Sequence, residues 1–567
     1  MKRIGVVFVI ALVCAVIGRA AYRAAVPSKP PLSKYVPAGS LLYLEANDFS
    51  SLLADWNSSG EKKEWITTSN YEVFSRSRLF LRLKGAGDQF AAAAGLRPNM
   101  NFVSQVSGTD SVLALYDIGK LEFLYVTYLP SAKSMQTTLW QTRAKFEPRN
   151  AGGVSFYIRR DPESQKEVAF AVSGDYLLLA TREDLMAGAL QLMSGSTNHT
   201  IESERWWSQA VASAGPSGDL RMVMNLEKIV PSPYFRTYWV QQNITDMKQY
   251  SAAVSDLFRS SRQYREERVL IGKTPPPAMA AEGLEAAASL VRLIPASAGI
   301  YEAKAYPSAD SCFDLIETKL LAPHLGPAPA SEIAPQVQLT SGETGRGSDL
   351  ETRIDKPAIE RPAAQQTASA LKDLLDKNQI LASLQVQSTE RDPSGVFIRI
   401  SSGIVLAAAS DWDEAAIRSA LAEFVRPGLT ASEHGVAWQQ QSGYSKLDGL
   451  WPLAIGVRGR HLLIADDPAL IEAMLANFSR KPDLKSASFV AGFSHEREQG
   501  SFARFVGVVD RPSLAQSDTP GMERQPQFFS ENIASLSTTL AGISAERMTV
   551  HVDGDAVRQT VTYEWSR

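Results

Sequence analysis

The chain has 567 residues, of which 44% are hydrophobic and 21% are charged, as is ordinary for a globular protein with a sizeable core. Its 58 Lys and Arg and 61 Asp and Glu residues leave a net charge of -3, which argues against a dedicated nucleic-acid-binding protein. A mean hydropathy of -0.13 argues against a polytopic membrane protein. Two cysteines exclude a disulfide scaffold and a Cys-rich zinc or iron–sulfur module.

Residues 1–27 have the pattern of an export signal or membrane anchor. Lys2 and Arg3 precede an uncharged apolar run that begins at Ile4. The 23 residues Ile4–Val26 would form about 34 Å of helix at about 1.5 Å per residue, enough to cross a ~30 Å hydrocarbon core. A retained anchor, a signal cleaved after Gly18-Arg19-Ala20 and a buried helix of a cytosolic protein are the three alternatives.

The charges at the N-terminus also predict where the body lies. Lys2 and Arg3 favour a cytoplasmic N-terminus, so the body is expected on the extracytoplasmic, periplasmic side, or secreted if the segment is cleaved. Val13 before Cys14 argues against a lipoprotein. Cys312 is then the one thiol of the body, expected as a small buried residue. Residues 28–35 are a short polar spacer.

Two stretches of the chain match without a gap, one starting at Val168 and the other at Leu453. Nine of their 27 positions are identical, where chance composition gives roughly two. Three shorter blocks recur in the same order, which indicates a duplication. Val36-Pro37 followed by Tyr43 recurs as Ile294-Pro295 followed by Tyr301, and Gly153-Val154 recurs as Gly435-Val436. Arg221–Val223 followed by Glu227-Lys228 recurs as Arg504–Val506 followed by Asp510-Arg511.

Each long copy predicts two strands and a helix. Val168–Ser173 and Tyr176–Ala180 are short apolar runs on either side of a turn at Gly174, whose counterpart is Gly459. Thr181, and Asp466-Asp467 before Pro468 in the second copy, are predicted to start the helix. One apolar helix face then carries Leu185, Ala189 and Leu192 in the first copy and Leu470, Met474 and Phe478 in the second.

An earlier strand and helix precede each copy, so we expect an α+β fold of two related units of antiparallel strands with helices on one side. Phe123–Tyr128 leads to a helix start at Ser131, and Val405–Ala409 leads to one at Asp411. The expected organisation, after the anchor and the spacer, is unit 1 over 36–230, a helical connector with a Pro-rich linker over 231–292 (helix Met247–Arg262), unit 2 over 293–512 with a flexible insertion at 323–366, and a C-terminal helix and hairpin over 513–567.

With these blocks in view, the chain resembles a family of bacterial membrane-anchored, internally duplicated proteins of unknown function. The shared pattern is a P-A-x-x-x-x-Y strand, here Pro37 to Tyr43, and a G-x-x-L-L-[LI]-A strand leading into a helix, here Gly174–Ala180 and Gly459–Ala465. The resemblance covers most of residues 36–230 and 293–512. It implies location and architecture, and it provides no catalytic residues.

The candidates for chemistry each have a structural explanation. No two of the six histidines stand within five positions, so no local zinc pair exists; they are His199, His324, His434, His461, His495 and His551. His551, Asp553 and Asp555 are best explained by a hairpin turn, and Asp411, Asp413, Asp466 and Asp467 by helix starts. Ser59 to Lys62 matches S-x-x-K without its companion motifs, and Gly85-Ala86-Gly87 lacks the rest of a dinucleotide or phosphate fingerprint.

Arginines at every third position, Arg259, Arg262, Arg265 and Arg268, are interpreted as a solvated helix face. The aromatic pairs Trp206-Trp207 and Tyr238-Trp239 are interpreted as core or inter-unit packing rather than ligand contacts.

The sequence therefore assigns no catalytic, metal or cofactor residue. It predicts a non-enzymatic, membrane-anchored binding or scaffolding protein of the bacterial cell envelope, with an envelope protein or glycan as partner. The alternatives are an envelope hydrolase with dispersed catalytic residues, acting on peptidoglycan or glycans, and a purely structural envelope component.

Overall fold

The computed structural model describes residues 29–67, 71, 75–76, 78–232, 247–275, 279–321, 369–391, 398–429, 437–448, 453–498 and 543–565. The chain divides into two compact units, residues 1–59 with 75–256 and residues 60–74 with 257–567. The predicted anchor, the flexible insertion and residues 513–542, which include the predicted C-terminal helix, lie outside the described residues. The α+β class with antiparallel strands is confirmed.

Eight antiparallel strands form the sheet of unit 1 in the order β8-β1-β2-β3-β7-β6-β5-β4. Their bounds are β1 Leu42–Ala46, β2 Ser111–Asp117, β3 Glu122–Tyr128, β4 Glu147–Ala151, β5 Val154–Arg160, β6 Glu167–Ser173, β7 Tyr176–Ala180 and β8 Leu220–Asn225. Strand β9, Tyr250–Arg259, follows them at the boundary between the units.

Eleven strands of unit 2 pair in the order β10-β20-β19-β18-β11-β12-β13-β17-β16-β15-β14, all antiparallel. Their bounds are β10 Gln263–Gly272, β11 Ala298–Ala305, β12 Ile380–Arg391, β13 Ile398–Ala408, β14 Ala437–Gln440, β15 Ser445–Asp448, β16 Leu453–Arg458, β17 His461–Ala465, β18 Phe489–Ser494, β19 Ile543–Asp553 and β20 Ala556–Trp565. From β18 to β14, this order matches that of unit 1 strand for strand.

The α-helices connect these strands. They are α1 Phe49–Ser58, α2 Gly60–Thr67, α3 Arg78–Ala94, α4 Met100–Val106, α5 Ser131–Ser134, α6 Thr138–Gln141, α7 Glu183–Met193, α8 Arg205–Ser213, α9 Leu226–Ile229, α10 Ala281–Leu290, α11 Ala309–Ile316, α12 Ser369–Asn378, α13 Glu414–Leu429 and α14 Pro468–Ala476. The predicted apolar stripe of α7 is confirmed, since Leu185, Ala189 and Leu192 are buried. In α14, Leu470 and Met474 are buried, whereas Phe478 follows the end of the helix and is partly buried against the same core.

Helices cover both faces of the central strands, so the prediction of helices on one side is wrong. In β17, Leu463 belongs to the core cluster that contains α10 and α14, whereas Leu462 and Ile464 belong to the cluster that contains α11, α12 and α13. In β7, Leu177 and Leu179 pack with α3 and α4, and the intervening Leu178 is also fully buried. A strand buried on both faces has a continuous apolar run instead of an alternating one, which explains the L-L-[LI]-A pattern.

Two other predictions are corrected, and a third lies outside the described residues. The predicted helix Met247–Arg262 is wrong: Tyr250–Arg259 is strand β9, and a turn at residues 260–262 leads to β10. Arg504–Val506, the predicted match of Arg221–Val223, lies outside the described residues, and the strand beside β11 at the place that corresponds to β8 is β18, Phe489–Ser494. The predicted helix starts at Ser131 and Asp411 are also displaced. Pro130 occupies the capping position of α5, and Asp413 caps α13 by accepting a hydrogen bond from the amide of Ala415.

Candidate functional site

An open cleft lies at one end of the unit 1 sheet, with a volume of about 800 Å³. It is formed where the β2–β3 turn, the β5–β6 turn and the junction of β7 with α7 meet. Three cationic and four anionic side chains line it together with three polar residues: Lys120, Lys166, Arg182, Glu122, Glu167, Glu183, Asp184, Ser164, Gln165 and Thr181. The cleft is therefore polar and nearly balanced in charge.

The β5–β6 turn that forms one wall is fixed by Asp161. Its carboxylate accepts hydrogen bonds from the amide and the hydroxyl of Ser164, at 2.8 and 2.6 Å. These bonds, the hydroxyl first, lower the pKa of Asp161. Gln165 takes a left-handed conformation with φ of 57° in the same turn. Across the cleft, the ammonium of Lys166 donates to the carbonyl of Lys120 at 3.0 Å and joins this turn to the β2–β3 turn.

Arg182 is the central cation of the cleft. Its Nη1 lies 3.0 Å from Oε2 of Glu122, and its Nε donates to Oδ1 of Asp184 at 2.9 Å. The hydrogen bond to Asp184, and then the one to Glu122, raise the pKa of Arg182 above its ordinary value, so the guanidinium stays charged. Because one cation joins carboxylates from β3 and α7, these bonds hold the mouth of the cleft in one shape.

The helix α7 starts differently from the prediction. Arg182 occupies the capping position without a side-chain cap, and the amide of Glu183 is satisfied instead by Oε2 of Glu167, at 2.9 Å. Thr181 does not cap the helix, because its hydroxyl accepts a hydrogen bond from the amide of Phe123 at 2.8 Å. The acidic side chains at the start of the helix lie favourably at the positive end of its dipole.

A second polar cluster lies in the interior of unit 1. The side chains of Arg221 and Asp256 are 9% and 3% exposed and form a bidentate pair, with both nitrogen–oxygen distances at 2.8 Å. Glu45 lies opposite Arg221 in the sheet; burial raises the pKa of its carboxyl and Arg221 partly opposes this. The Tyr43 hydroxyl donates to Glu45 at 3.3 Å, and burial first of all raises the pKa of Tyr43. This enclosed cluster stabilises the fold rather than offering a binding surface.

In unit 2, Asp466 stands at the position of Thr181 in the matched stretches. Its Oδ1 accepts from the amide of Ser402 at 2.7 Å, which is the role of the Thr181 hydroxyl toward β3. Burial raises the pKa of Asp466 to about 6. Asp467 caps α14 as predicted, by accepting from the amide of Ala469 with Pro468 in the first turn.

The other predicted candidates are scattered. His199, His461, His495 and His551 are not brought together as a metal site, and within the described ranges no group of three or more His, Cys, Asp or Glu residues could hold a metal ion. His324 and His434 lie outside those ranges. Burial lowers the pKa of His461 and of His551. The turn predicted at Gly554 is present, where Asp553 forms an ion pair with Arg558 at 3.5 Å.

The remaining candidates serve the fold. Gly85 and Gly87 lie within helix α3, and the hydroxyl of Ser59 donates to the carbonyl of Trp56. Arg259 ends β9, and Arg265 and Arg268 lie on β10, so the interpretation as a helix face is wrong. Trp206 and Trp207 are buried as predicted, with Trp207 packed edge-on against Tyr43 at 4.4 Å; Tyr238 and Trp239 lie outside the described residues. Cys312 is buried as predicted, and burial raises the pKa of its thiol to about 12.

Sequence reasoning missed the cleft, because its charged residues belong to three separate segments and form no motif. The available indications were turn-forming stretches at Gly119-Lys120 and Asp161–Ser164, which a meander of antiparallel strands brings to one end of the sheet.

Comparisons with known proteins provide no family for the chain. No protein-family model and no curated protein matches it. The solved structures similar to it include crystal forms I and III of TP0453, each with 13% sequence identity and a TM-score of 0.23. Form I is matched over 44% of this chain and 82% of its own, and form III over 44% and 83%. A TM-score of 0.23 supports no conclusion about fold or function.

Among the described residues, no helix is both long enough and apolar enough to span a membrane.

Proposed function

We propose that the protein is a membrane-anchored binding or scaffolding protein of the bacterial cell envelope, with its body on the extracytoplasmic side. Its N-terminal segment supports the anchor: a 23-residue run follows Lys2 and Arg3 and is long enough to cross a bilayer.

The body is proposed to consist of two related α+β units. Eight strands follow the same order in each unit, and the matched stretches fill the same places, β6–β7–α7 in one and β16–β17–α14 in the other. Gly174 and Gly459 have the same φ of 56° at the same turn. An eight-strand order that recurs together with its turn glycine is the outcome that a duplication produces.

The cleft of unit 1 is the observation that carries a binding function. It is open and contains both positively and negatively charged side chains, which suits a polar partner such as a peptide segment or a glycan with charged groups. Both of its hydroxyl groups form hydrogen bonds within the protein: Ser164 donates to the Asp161 carboxylate, and Thr181 accepts from the amide of Phe123. Arg182 is held by two carboxylates and shapes the surface. These features favour recognition over covalent catalysis.

Site-specific photocrosslinking tests this function in envelope membranes that contain the full chain. A benzophenone amino acid replaces Gln165 on the wall of the cleft, or Ser208 as the matched control, an exposed residue on α8, which packs against β8. We expect an adduct of defined mass from position 165 only. Its yield should fall in Arg182→Gln and at high salt, because screening weakens recognition between exposed charges.

Equal adducts from both positions would contradict a role for the cleft. Recovery of monomer alone, together with hydrolysis of a cell-wall substrate by the purified protein, would refute the binding function and favour the hydrolase.

A further inference from the structure

Three tyrosines and one lysine form an aromatic surface at the end of the unit 1 sheet where β3 ends and β7 begins. The ring of Tyr176 packs edge-on against Tyr35 at 5.4 Å and against Tyr128 at 5.7 Å between centroids. All three side chains are partly exposed. The ammonium of Lys29 lies 3.1 Å above the ring of Tyr128 and 3.9 Å from Oδ2 of Asp110. We call Lys29, Tyr35, Tyr128 and Tyr176 the tyrosine face.

The fold alone does not require these tyrosines. Tyr128 and Tyr176 are register partners in β3 and β7. In unit 2, the corresponding partners in β13 and β17 are Ala407 and His461. His461 packs edge-on against Phe478 at 5.4 Å between ring centroids, so the same strand pairing forms there without any tyrosine. The group of three tyrosines therefore belongs to unit 1.

Chain length then places this surface near the N-terminal apolar run. Lys29 lies three positions after Val26, the last residue of the 23-residue stretch Ile4–Val26 that would cross the bilayer, with Arg19 and Arg23 in its last third. Three extended residues span at most about 11 Å. Since the headgroup layer on each side of a ~30 Å hydrocarbon core is about 5–7 Å thick, a bilayer that holds Ile4–Val26 has its surface within reach of Lys29.

We propose that the tyrosine face docks on the headgroup region of the bilayer that holds Ile4–Val26; this rests on the anchor of the proposed function. Tyrosine suits that place, because its ring is apolar, its hydroxyl is polar, and the residue is enriched at membrane–water interfaces. The attraction between Lys29 and the ring of Tyr128 keeps the emerging chain on this face.

This docking also orients the cleft. β3 has seven residues, so Glu122, which lines the cleft, lies about 20 Å along the strand from Tyr128. With Tyr128 at the bilayer, the cleft opens at the end of the sheet that faces away from the membrane, where a partner in the envelope can reach it.

Depth-dependent quenching in vesicles tests the docking on the full chain, on a Cys14→Ala, Cys312→Ala background. An environment-sensitive fluorophore is attached at Ala132→Cys, an exposed site next to Ser131, whose amide contacts Asp175 beside Tyr176. The matched control is Glu163→Cys, an exposed site in the β5–β6 turn at the opposite end of the sheet. The vesicles contain phosphatidylcholine and phosphatidylglycerol, with a nitroxide quencher on the phosphatidylcholine headgroup.

We expect the Ala132→Cys label to lose most of its emission and the Glu163→Cys label to keep it. Adding Tyr128→Ser and Tyr176→Ser should restore the emission of the first label, with circular dichroism as the check on folding. If neither label is quenched but the chain stays in the vesicles after an alkaline wash, the docking is refuted and the anchor is supported. Quenching of both labels would overturn the orientation, and release of the chain by the wash would overturn the anchor and the docking together.

Discussion

The buried pair of Arg221 and Asp256 allows a sharp test of how unit 1 is stabilised. Asp256→Ala would leave a guanidinium that is 9% exposed without its bidentate partner. Removing one partner of a buried ion pair costs about 3–5 kcal/mol, since the remaining charge is buried and uncompensated. Glu45, opposite Arg221 in the sheet, offers partial compensation, so we expect about 3 kcal/mol.

The free energy of unfolding is best measured locally, by hydrogen exchange in urea on the full chain in detergent micelles. The free energy of opening measured for peptides from β1 and β8 should fall by about 3 kcal/mol, and that of peptides from unit 2 should not change. The matched control is Glu147→Ala, which breaks an exposed pair with Arg149 of 2.8 Å on β4 and should cost at most about 1 kcal/mol.

A double variant separates the loss of the pair from the loss of packing. Arg221→Met with Asp256→Leu removes both charges and should recover most of the stability that Asp256→Ala loses, because apolar replacements of buried pairs are often neutral. The reasoning is refuted if Asp256→Ala costs no more than Glu147→Ala. It is also refuted if the double variant is as unstable as the sum of its single changes, since the two side chains would then not be coupled.

Three further predictions concern the matched positions of the two units. Since burial raises the pKa of Asp466 to about 6 in the fold against an ordinary 3.8, wild-type unit 2 should lose up to about 3 kcal/mol of stability as the pH rises from about 4 to about 6. Asp466→Asn should abolish this loss in pH-dependent urea unfolding. Gly174→Ala and Gly459→Ala should each lower the thermal stability by about 1 kcal/mol, because alanine is strained at a positive φ. Gly85→Ala is the control: this glycine lies in the middle of a helix with no neighbour within 4 Å, and the change should raise the stability by about 0.5–1 kcal/mol. A gain in stability at either turn would contradict the argument that these glycines are needed for their left-handed backbone conformation. Thr181→Val should cost about 1–3 kcal/mol by leaving a strand amide without its acceptor, and Thr181→Ser should not; equal losses would show that the methyl group matters instead.

The elements that could be predicted from sequence are those whose cause is local. A turn that needs a left-handed residue shows as Gly174 or Gly459, and a helix face shows as a stripe such as Leu185 and Ala189. Both kinds of prediction agree with the structure. The continuous apolar run Leu177–Ala180 also indicates that both faces of β7 are covered, which the prediction of helices on one side of the sheet did not take into account.

The two features that were missed have different causes. The run Met247–Arg262 has helix-compatible spacing, but it contains strand β9, which a turn at residues 260–262 joins to β10, so Ser260-Ser261 was a local indication that the helix prediction overlooked. The cleft depends on distant segments, because Lys120, Lys166 and Arg182 meet only through the order of strands. The sequence shows each of these as an ordinary surface charge.

The matched sheets differ mainly at polar and aromatic positions, and these are the positions to which we propose that function was added. Turn glycines and apolar strand positions agree between the proposed copies, since the same fold needs them. The polar positions differ. The Thr181 hydroxyl, which is not ionisable, accepts a hydrogen bond from the amide of Phe123, whereas at the matched position the Asp466 carboxyl, with a pKa raised to about 6 by burial, accepts one from the amide of Ser402. Tyr176 packs against Tyr35 and Tyr128, and its counterpart is His461. Substitutions at the agreeing positions should therefore reduce stability in both units alike, whereas substitutions at the tyrosine face and the cleft should change membrane contact and partner binding with little effect on unit 2.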